Sequence, residues 1–194
     1  MKNPFLSVSD VDQTEYLTAR CSLNRAVIAK LPLYGVDDEI EGKAFVDAFS
    51  TPVIVEEIRR TSKRYNIDLS GISDAELPKI LSQGLESDDA RLRQMAQRVT
   101  KKFGMRLGLL FLMLKTALPE NRAARDDWDD ACWEFWQEIE TIVLTGGLAS
   151  SMLGRRFKEY IHAVFDLAAE AVPEHVVLVR ILVHELEQLR LDLL

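Results

Sequence analysis

The stretch Glu140-Thr-Ile-Val-Leu-Thr-Gly-Gly-Leu-Ala-Ser-Ser151 is where an apolar run ends in paired glycines and small hydroxyl residues. Ile142, Val143 and Leu144 form a short continuous apolar run closed by a turn signal, which predicts a buried strand. Gly146 and Gly147 let the backbone turn sharply and approach a neighbour closely. Ser150 or Ser151 is placed to cap a helix starting near Met152. A strand-to-helix turn of this kind offers free N–H groups and the positive end of a helix dipole to an anion, so a phosphorylated small molecule is the candidate ligand. A plain structural turn satisfies the same residues. The stretch is neither a P-loop, because the Lys-Ser/Thr ending is missing, nor a dinucleotide fingerprint.

Outward from this turn, the 194 residues with 47% hydrophobic content suffice for one domain of ordinary size or two small lobes. A net charge of −7 argues against nucleic acid or an anionic membrane as the principal partner. Cys21 and Cys132 lie far apart and outside any metal-ligand spacing, which predicts reduced thiols in a cytoplasmic protein. The opening Met-Lys-Asn-Pro-Phe-Leu-Ser has no apolar secretory core.

After the turn, Leu153 to Ala169 reads as a helix, with Phe157, Ile161, Val164, Phe165 and Leu167 as its apolar positions. The β-branched run from His175 to Val183 predicts a second buried strand, and a helix follows from about His184. Upstream, Leu107 to Leu114 carries no polar side chain and predicts a helix buried on nearly all sides. Arg106 and Lys115 bracket it too tightly for a membrane span, which needs about 20 apolar residues. Gly104 and Gly108, one helical turn apart, permit close approach of a neighbouring element.

A helical segment is expected within Asp10 to Ala29, with Leu17, Leu23, Val27 and Ile28 as its apolar positions, and further helices are predicted from Gly42 to Ser50, from Thr51 as N-cap through Arg60, from Leu77 to Ser82 behind the capping box Ser73-Asp-Ala-Glu76, and from Ser87-Asp-Asp89 through Phe103. Arg91, Arg93, Lys101 and Lys102 fall mostly outside the apolar stripe of that last helix, and its arginines read as solvated helix surface, with a phosphate clamp as the alternative. Asp37-Asp-Glu-Ile-Glu41 reads as a solvated acidic turn, with Mg²⁺ binding as the alternative. Trp128, Trp133 and Trp136 fall in an acidic segment where Cys132, Phe135, Trp136 and Ile139 recur at helical spacing; a helix docked on the core and a partner-binding aromatic patch both fit. His162 has Glu159 and Asp166 within one turn on either side, a spacing that could hold a metal or orient the imidazole, but an ordinary surface or core role is expected for each histidine.

The order of elements and the run Ile142-Val-Leu-Thr-Gly-Gly-Leu-Ala149 resemble the C-terminal half of sugar kinases in the acetate and sugar kinase, heat-shock protein and actin superfamily, and most closely the ROK kinase and repressor family. The resemblance covers roughly residues 42–194. Ser87-Asp-Asp-Ala-Arg-Leu92 leading to Phe103-Gly-Met-Arg-Leu-Gly108 is similar to the family's two-helix approach to its adenosine motif. It implies a helix-rich α/β fold, one lobe of an actin-like ATPase (ribonuclease H-like) fold with a small sheet flanked by helices. It treats residues 1–194 as one domain, with 1–41 poorly assigned and 120–140 an insertion. By the same resemblance Gly146, Gly147, Leu148, Ala149, Ser150 and Ser151 would line the nucleotide turn, with ATP or ADP and Mg as ligands.

The family's Asp-Gly-Gly-Thr-like phosphate loop, its Gly-His pair and cysteine cluster, and its catalytic aspartate have no counterpart here, so the resemblance supplies no catalytic residue. It implies a nucleotide-binding lobe of a sugar kinase or kinase-derived regulator, inactive in phosphoryl transfer alone and completed by a second lobe, a partner chain or a homo-oligomer. The alternative is a non-enzymatic helical interaction module that presents the Trp-rich acidic segment.

Overall fold

A computed structural model describes residues 2–146, 152–171 and 180–183. The elements in order are β1 (Leu6–Val8), β2 (Glu15–Leu17), α1 (Phe45–Ala48), α2 (Thr51–Arg64), α3 (Leu77–Gly84), α4 (Ala90–Thr116), α5 (Pro119–Ala123), α6 (Asp130–Glu138), β3 (Thr141–Leu144), α7 (Met152–Ala171) and β4 (Arg180–Val183). Short 3₁₀ turns lie at Ala19–Cys21, Leu23–Arg25 and Asp38–Ile40. The described chain is therefore helix-rich, with two small two-stranded sheets.

The helix expected over Asp10 to Ala29 is absent, and a hairpin and two 3₁₀ turns take its place. The cause is local. The Asp12 carboxylate accepts hydrogen bonds from the Thr14 amide at 3.1 Å and the Thr14 hydroxyl at 2.8 Å, and Gln13 sits at φ +56°. Such side-chain-to-backbone bonds compete with helix formation. Hydroxyl donation from Ser9 and Thr14 holds the Asp12 carboxyl down to about 2. β2 is thereby turned back on β1, antiparallel, with Leu6 opposite Leu17 and Ser7 opposite Tyr16.

The expected helix over Gly42 to Ser50 shrinks to the four residues of α1. In α2 the N-cap is Ser50, whose carbonyl accepts from Ile54 N–H at 2.9 Å, and Thr51 with Pro52 forms the first turn. Glu76 accepts from Ser73 N–H at 3.2 Å and from the Ser73 hydroxyl at 2.6 Å, so half of the expected capping box forms, but it stands before the helix: α3 begins at Leu77 with Glu76 as its N-cap.

The long helix α4 organises the rest. Asp89 caps it by accepting from Arg91 N–H at 2.8 Å. It then runs 27 residues, roughly 40 Å, before Ala117 enters the left-handed region at φ +46° and Leu118-Pro119 follows. Met95, Val99 and Phe103 on its first half pack with Ile54, Ile58, Leu77, Leu81 and Phe157. Leu109, Leu110 and Met113 on its second half join Phe5, Ile28, Leu31, Ile40, Trp133 and Ile161. Every residue from Leu107 to Leu114 is buried, so this part of α4 has no solvent face.

α7 lies against α4 through the two glycines. A Cβ on Gly104 would stand 2.7 Å from Tyr160 Cβ, and one on Gly108 would stand 2.8 Å from Val164 Cγ2 and 3.2 Å from Ile161 Cα. Both contacts advance in the same direction, so α4 and α7 run parallel. The side-chain-free positions allow close helix packing that any larger residue would obstruct.

Residues 1–41 and 120–140 meet each other. Trp128 Nε1 donates to Arg20 O at 2.8 Å, and Arg20 Nε donates to Asp127 O at 2.8 Å. Asn121, fully buried, accepts from Lys30 N–H and donates to Lys30 O, both at 2.9 Å. Phe5 packs against Trp128, with ring centroids 5.2 Å apart. The first forty residues and the Trp-rich segment thus build one layer over the second half of α4.

Candidate functional site

β3 and β4 pair in parallel, with Thr141 opposite Arg180 and Leu144 opposite Val183, and α7 lies between them in sequence. Antiparallel neighbours can be joined by a tight turn, whereas parallel strands need a crossover, and α7 provides it. The carboxyl ends of parallel strands and the start of the crossover helix are where such units bind ligands. Gly146 stands there, exposed and at φ +95°, with open space where a side chain would project. A glycine suits this position because left-handed backbone is costly for other residues.

Of the six residues expected to line a nucleotide turn, Gly146 is described, and Gly147, Leu148, Ala149, Ser150 and Ser151 lie outside the described residues. The strand before the turn is less buried than its sequence predicts. Ile142 and Leu144 face the core as partly buried side chains, whereas Thr141 and Val143 are exposed. An alternating pattern of this kind marks one covered face and one open face.

Beside the first half of α7 is a groove of about 480 Å³ between α4, the C-terminal ends of α2 and α3, and α7. Arg98, Lys101 and Arg156 line it together with Gln94, Gln97, Tyr65 and Tyr160, and among the described residues no carboxylate does. Arg98 and Lys101 are exposed and make no ion pair or hydrogen bond among the described residues. Arg156 pairs with Glu159 at 2.7 Å. Burial pushes the Tyr160 phenol above its ordinary value, against the opposing charge of Arg156, and Glu159 adds a smaller push in the same direction as burial.

A second groove of about 680 Å³ adjoins it and shares the Arg98 and Lys101 side chains. Its charges are mostly matched in pairs. Arg106, buried, donates to Asp37 at 2.6 Å and to Ala48 O at 2.9 Å, and Lys102 reaches Glu57 at 3.2 Å and Glu39 at 3.7 Å. Glu57 also accepts from Thr61 at 2.9 Å and from Arg60. Of the cation pair shared by the two grooves, the sequence placed Lys101 on the helix surface and did not single out Arg98, although Gln94, Arg98 and Lys101 recur at helical spacing on the polar side of α4.

The acidic turn expected at residues 37–41 is solvated at Asp38, Glu39 and Glu41, and the expectation is corrected at Asp37. Asp37 is the partner of a buried arginine, Asp38 accepts from Gly35 N–H at 2.7 Å, and Glu41 accepts from Leu31 N–H at 2.9 Å and from Tyr34 at 2.7 Å. Three of the four positively charged residues read as helix surface are also committed, Arg91 to Asp89 at 3.5 Å, Arg93 to Ser87 O and Lys102 to its carboxylates. Among the described residues no group of three His, Cys, Asp or Glu side chains is placed to hold a metal ion.

The remaining candidates are structural. Trp128 and Trp133 are buried and Trp136 stacks on Trp128 at 6.5 Å, so these rings form core and offer no aromatic patch. Cys132 is buried beside Arg20 Nη2 at 3.3 Å, and burial pushes its thiol up, away from the thiolate that a nucleophile needs. Both cysteines are free thiols. Lys115 donates to the carbonyls of Gln137 and Ile139 at the end of α6, and burial lowers its ammonium pKa. His162 is half-buried, and its neighbour Glu159 is engaged by Arg156; His175 and His184 lie outside the described residues. No described helix is long and apolar enough to cross a membrane. No protein-family model matches the chain, and neither a curated protein nor a solved structure does.

Proposed function

We infer that the chain binds a nucleotide at the turn between β3 and α7, as the nucleotide-side lobe of a ROK-like sugar kinase or of a regulator derived from one, in the cytoplasm. The observation that carries this reading is Gly146 in left-handed backbone, where a parallel strand ends and a 20-residue crossover helix is about to begin. The phosphates of ATP or ADP meet backbone N–H groups and the positive end of the α7 dipole there, an arrangement that needs no side-chain cation. The sugar-kinase and actin-like assignments rest on the sequence resemblance of Ile142 to Ala149.

Phosphoryl transfer is not expected from this chain alone. Transfer depends on positioning the phosphates, a metal ion and an acceptor between two lobes. The phosphate loop and catalytic aspartate of the family have no counterpart in the sequence.

The test is calorimetric titration with Mg-ADP and Mg-ATP of the wild type, Gly146→Val and Gly147→Val. A β-branched side chain at φ +95° is strained, so Gly146→Val distorts the turn. Because the space around Gly146 is open, the rest of the fold is expected to survive. Binding by the wild type that is lost in both variants supports the reading. A folded wild type that binds neither nucleotide refutes it.

A further inference from the structure

We propose that the groove between α4 and α7 is a second anion site, independent of the β3–α7 turn, that binds a small organic phosphate. Arg98, Lys101 and Arg156 hold the phosphate, and the rings of Tyr65 and Tyr160 flank its organic part.

Three observations carry this. First, the charge is local and opposed to the whole: in a chain of net charge −7, three cationic side chains line one groove that no carboxylate lines among the described residues. Second, the two α4 cations are uncommitted. Arg98 and Lys101 have no carboxylate, carbonyl or hydroxyl partner among the described residues, while Lys102 and Arg106 on the same helix are each tied to acidic groups. An entering phosphate therefore breaks no existing bond at Arg98 or Lys101. Third, the groove suits a phosphorylated metabolite in size and chemistry. Its volume of about 480 Å³ lies within the usual range for small-molecule sites, roughly 300–1,000 Å³. The guanidinium forks of Arg98 and Arg156 match phosphate oxygens in pairs, and the Lys101 ammonium acts as a point charge.

The site is distinct from the turn. Arg156 stands four residues after Met152, about 6 Å along α7, and Tyr160 lies a further turn away. Among the described residues, none of the lining residues belongs to β3 or is Gly146. The parallel packing of α7 on Gly104 brings Tyr160 alongside α4, so the close helix contact itself forms one wall.

The test is titration with phenyl phosphate and with inorganic phosphate, followed by calorimetry and by ³¹P line broadening. The proteins are the wild type, Arg98→Gln/Lys101→Gln and Gly146→Val. Both α4 side chains are exposed and unpaired, so the double variant is expected to keep the wild-type circular dichroism spectrum. The expected result is phenyl phosphate binding tighter than inorganic phosphate, at least about tenfold weaker in the double variant, and unchanged in Gly146→Val. Binding is also expected to weaken as salt is raised.

A wild type that does not bind phenyl phosphate, or a folded double variant that binds it with wild-type affinity, overturns the proposal. Parallel loss in Gly146→Val overturns the independence of the two sites. Attachment to vesicles containing phosphatidic acid, without phenyl phosphate binding, assigns the cations to a membrane headgroup and overturns it as well. Mg-ADP binding that fails in Gly146→Val while phenyl phosphate binding persists separates this site from the turn.

Discussion

Gly104 and Tyr160 approach so closely that a Cβ on the glycine would lie 2.7 Å from the Tyr160 Cβ and 3.0 Å from its ring. The obstructing atom is at the root of the side chain, so rotation of the tyrosine cannot clear it. An alanine in a helix interior gains about 1 kcal/mol over glycine in propensity. Overpacking a tight contact costs about 1–3 kcal/mol. At Gly104 the second effect is expected to win, because relief requires α4 and α7 to separate and the core beneath them to open. Gly104→Ala is expected to lower stability by about 1 kcal/mol, and Gly108→Ala by more, because its new Cβ also meets the Ile161 backbone. Urea denaturation midpoints measure this, and a midpoint at or above the wild-type value for both variants would remove the glycine contact as the reason α7 sits where it does.

A second prediction concerns Arg106 and Asp37, whose side chains are 5% and 10% exposed and meet at 2.6 Å. Glu39 is 3.8 Å from the same guanidinium but is well exposed, so it compensates poorly for loss of Asp37. Asp37→Leu leaves a buried cation without its main partner and is expected to cost about 3–5 kcal/mol. The double variant Arg106→Met/Asp37→Leu removes the stranded charge and is expected to recover part of that loss, leaving Ala48 O without its donor. Chemical denaturation of the two single variants and the double supplies the cycle. Additive effects would show that the pair does not act as a unit.

The same pair shows what was legible in the sequence. Long apolar periodicity located α4 and α7, because in those segments burial decides the structure, and a short apolar run closed by a turn signal located β3 although only Ile142 and Leu144 of it face the core. The spacing of Gly104 and Gly108 also signalled a close neighbour. The first forty residues were illegible for a physical reason: their order comes from contacts about a hundred residues away, such as Arg20 with Asp127 and Lys30 with Asn121, against which local helix patterning has no weight. The charged positions misled in a related way. Asp37 reads as a solvated turn until a buried arginine 69 residues away is brought against it. Conversely, Arg98 and Lys101 look like ordinary surface until the fold leaves them between two grooves with no ion-pair partner among the described residues. The turn at Gly146 was found because its signal is entirely local, two small residues after an apolar run.

The third prediction is a pH dependence centred on Glu57, whose side chain is 11% exposed. Burial by itself raises a carboxyl pKa, but hydrogen bonds from Thr61, Arg60 and Lys102 outweigh it and hold Glu57 below its ordinary 4.5. The folded state therefore keeps this carboxylate ionised at a pH where the unfolded chain has already begun to take up the proton. Its stabilising contribution is fully present above 4.5 and is lost as pH falls through the lower folded value. Glu57→Gln removes the charge while preserving shape, and is expected to cost about 1–2 kcal/mol at pH 7. The gap between variant and wild type is expected to close as pH drops below 4.5, because the wild-type side chain then becomes neutral as well. Comparing the two proteins cancels the titration of the other carboxylates. Denaturation curves at pH 7, 5, 4 and 3 check this, and a gap of constant size across that series would mean that Glu57 is held by packing and not by its charge.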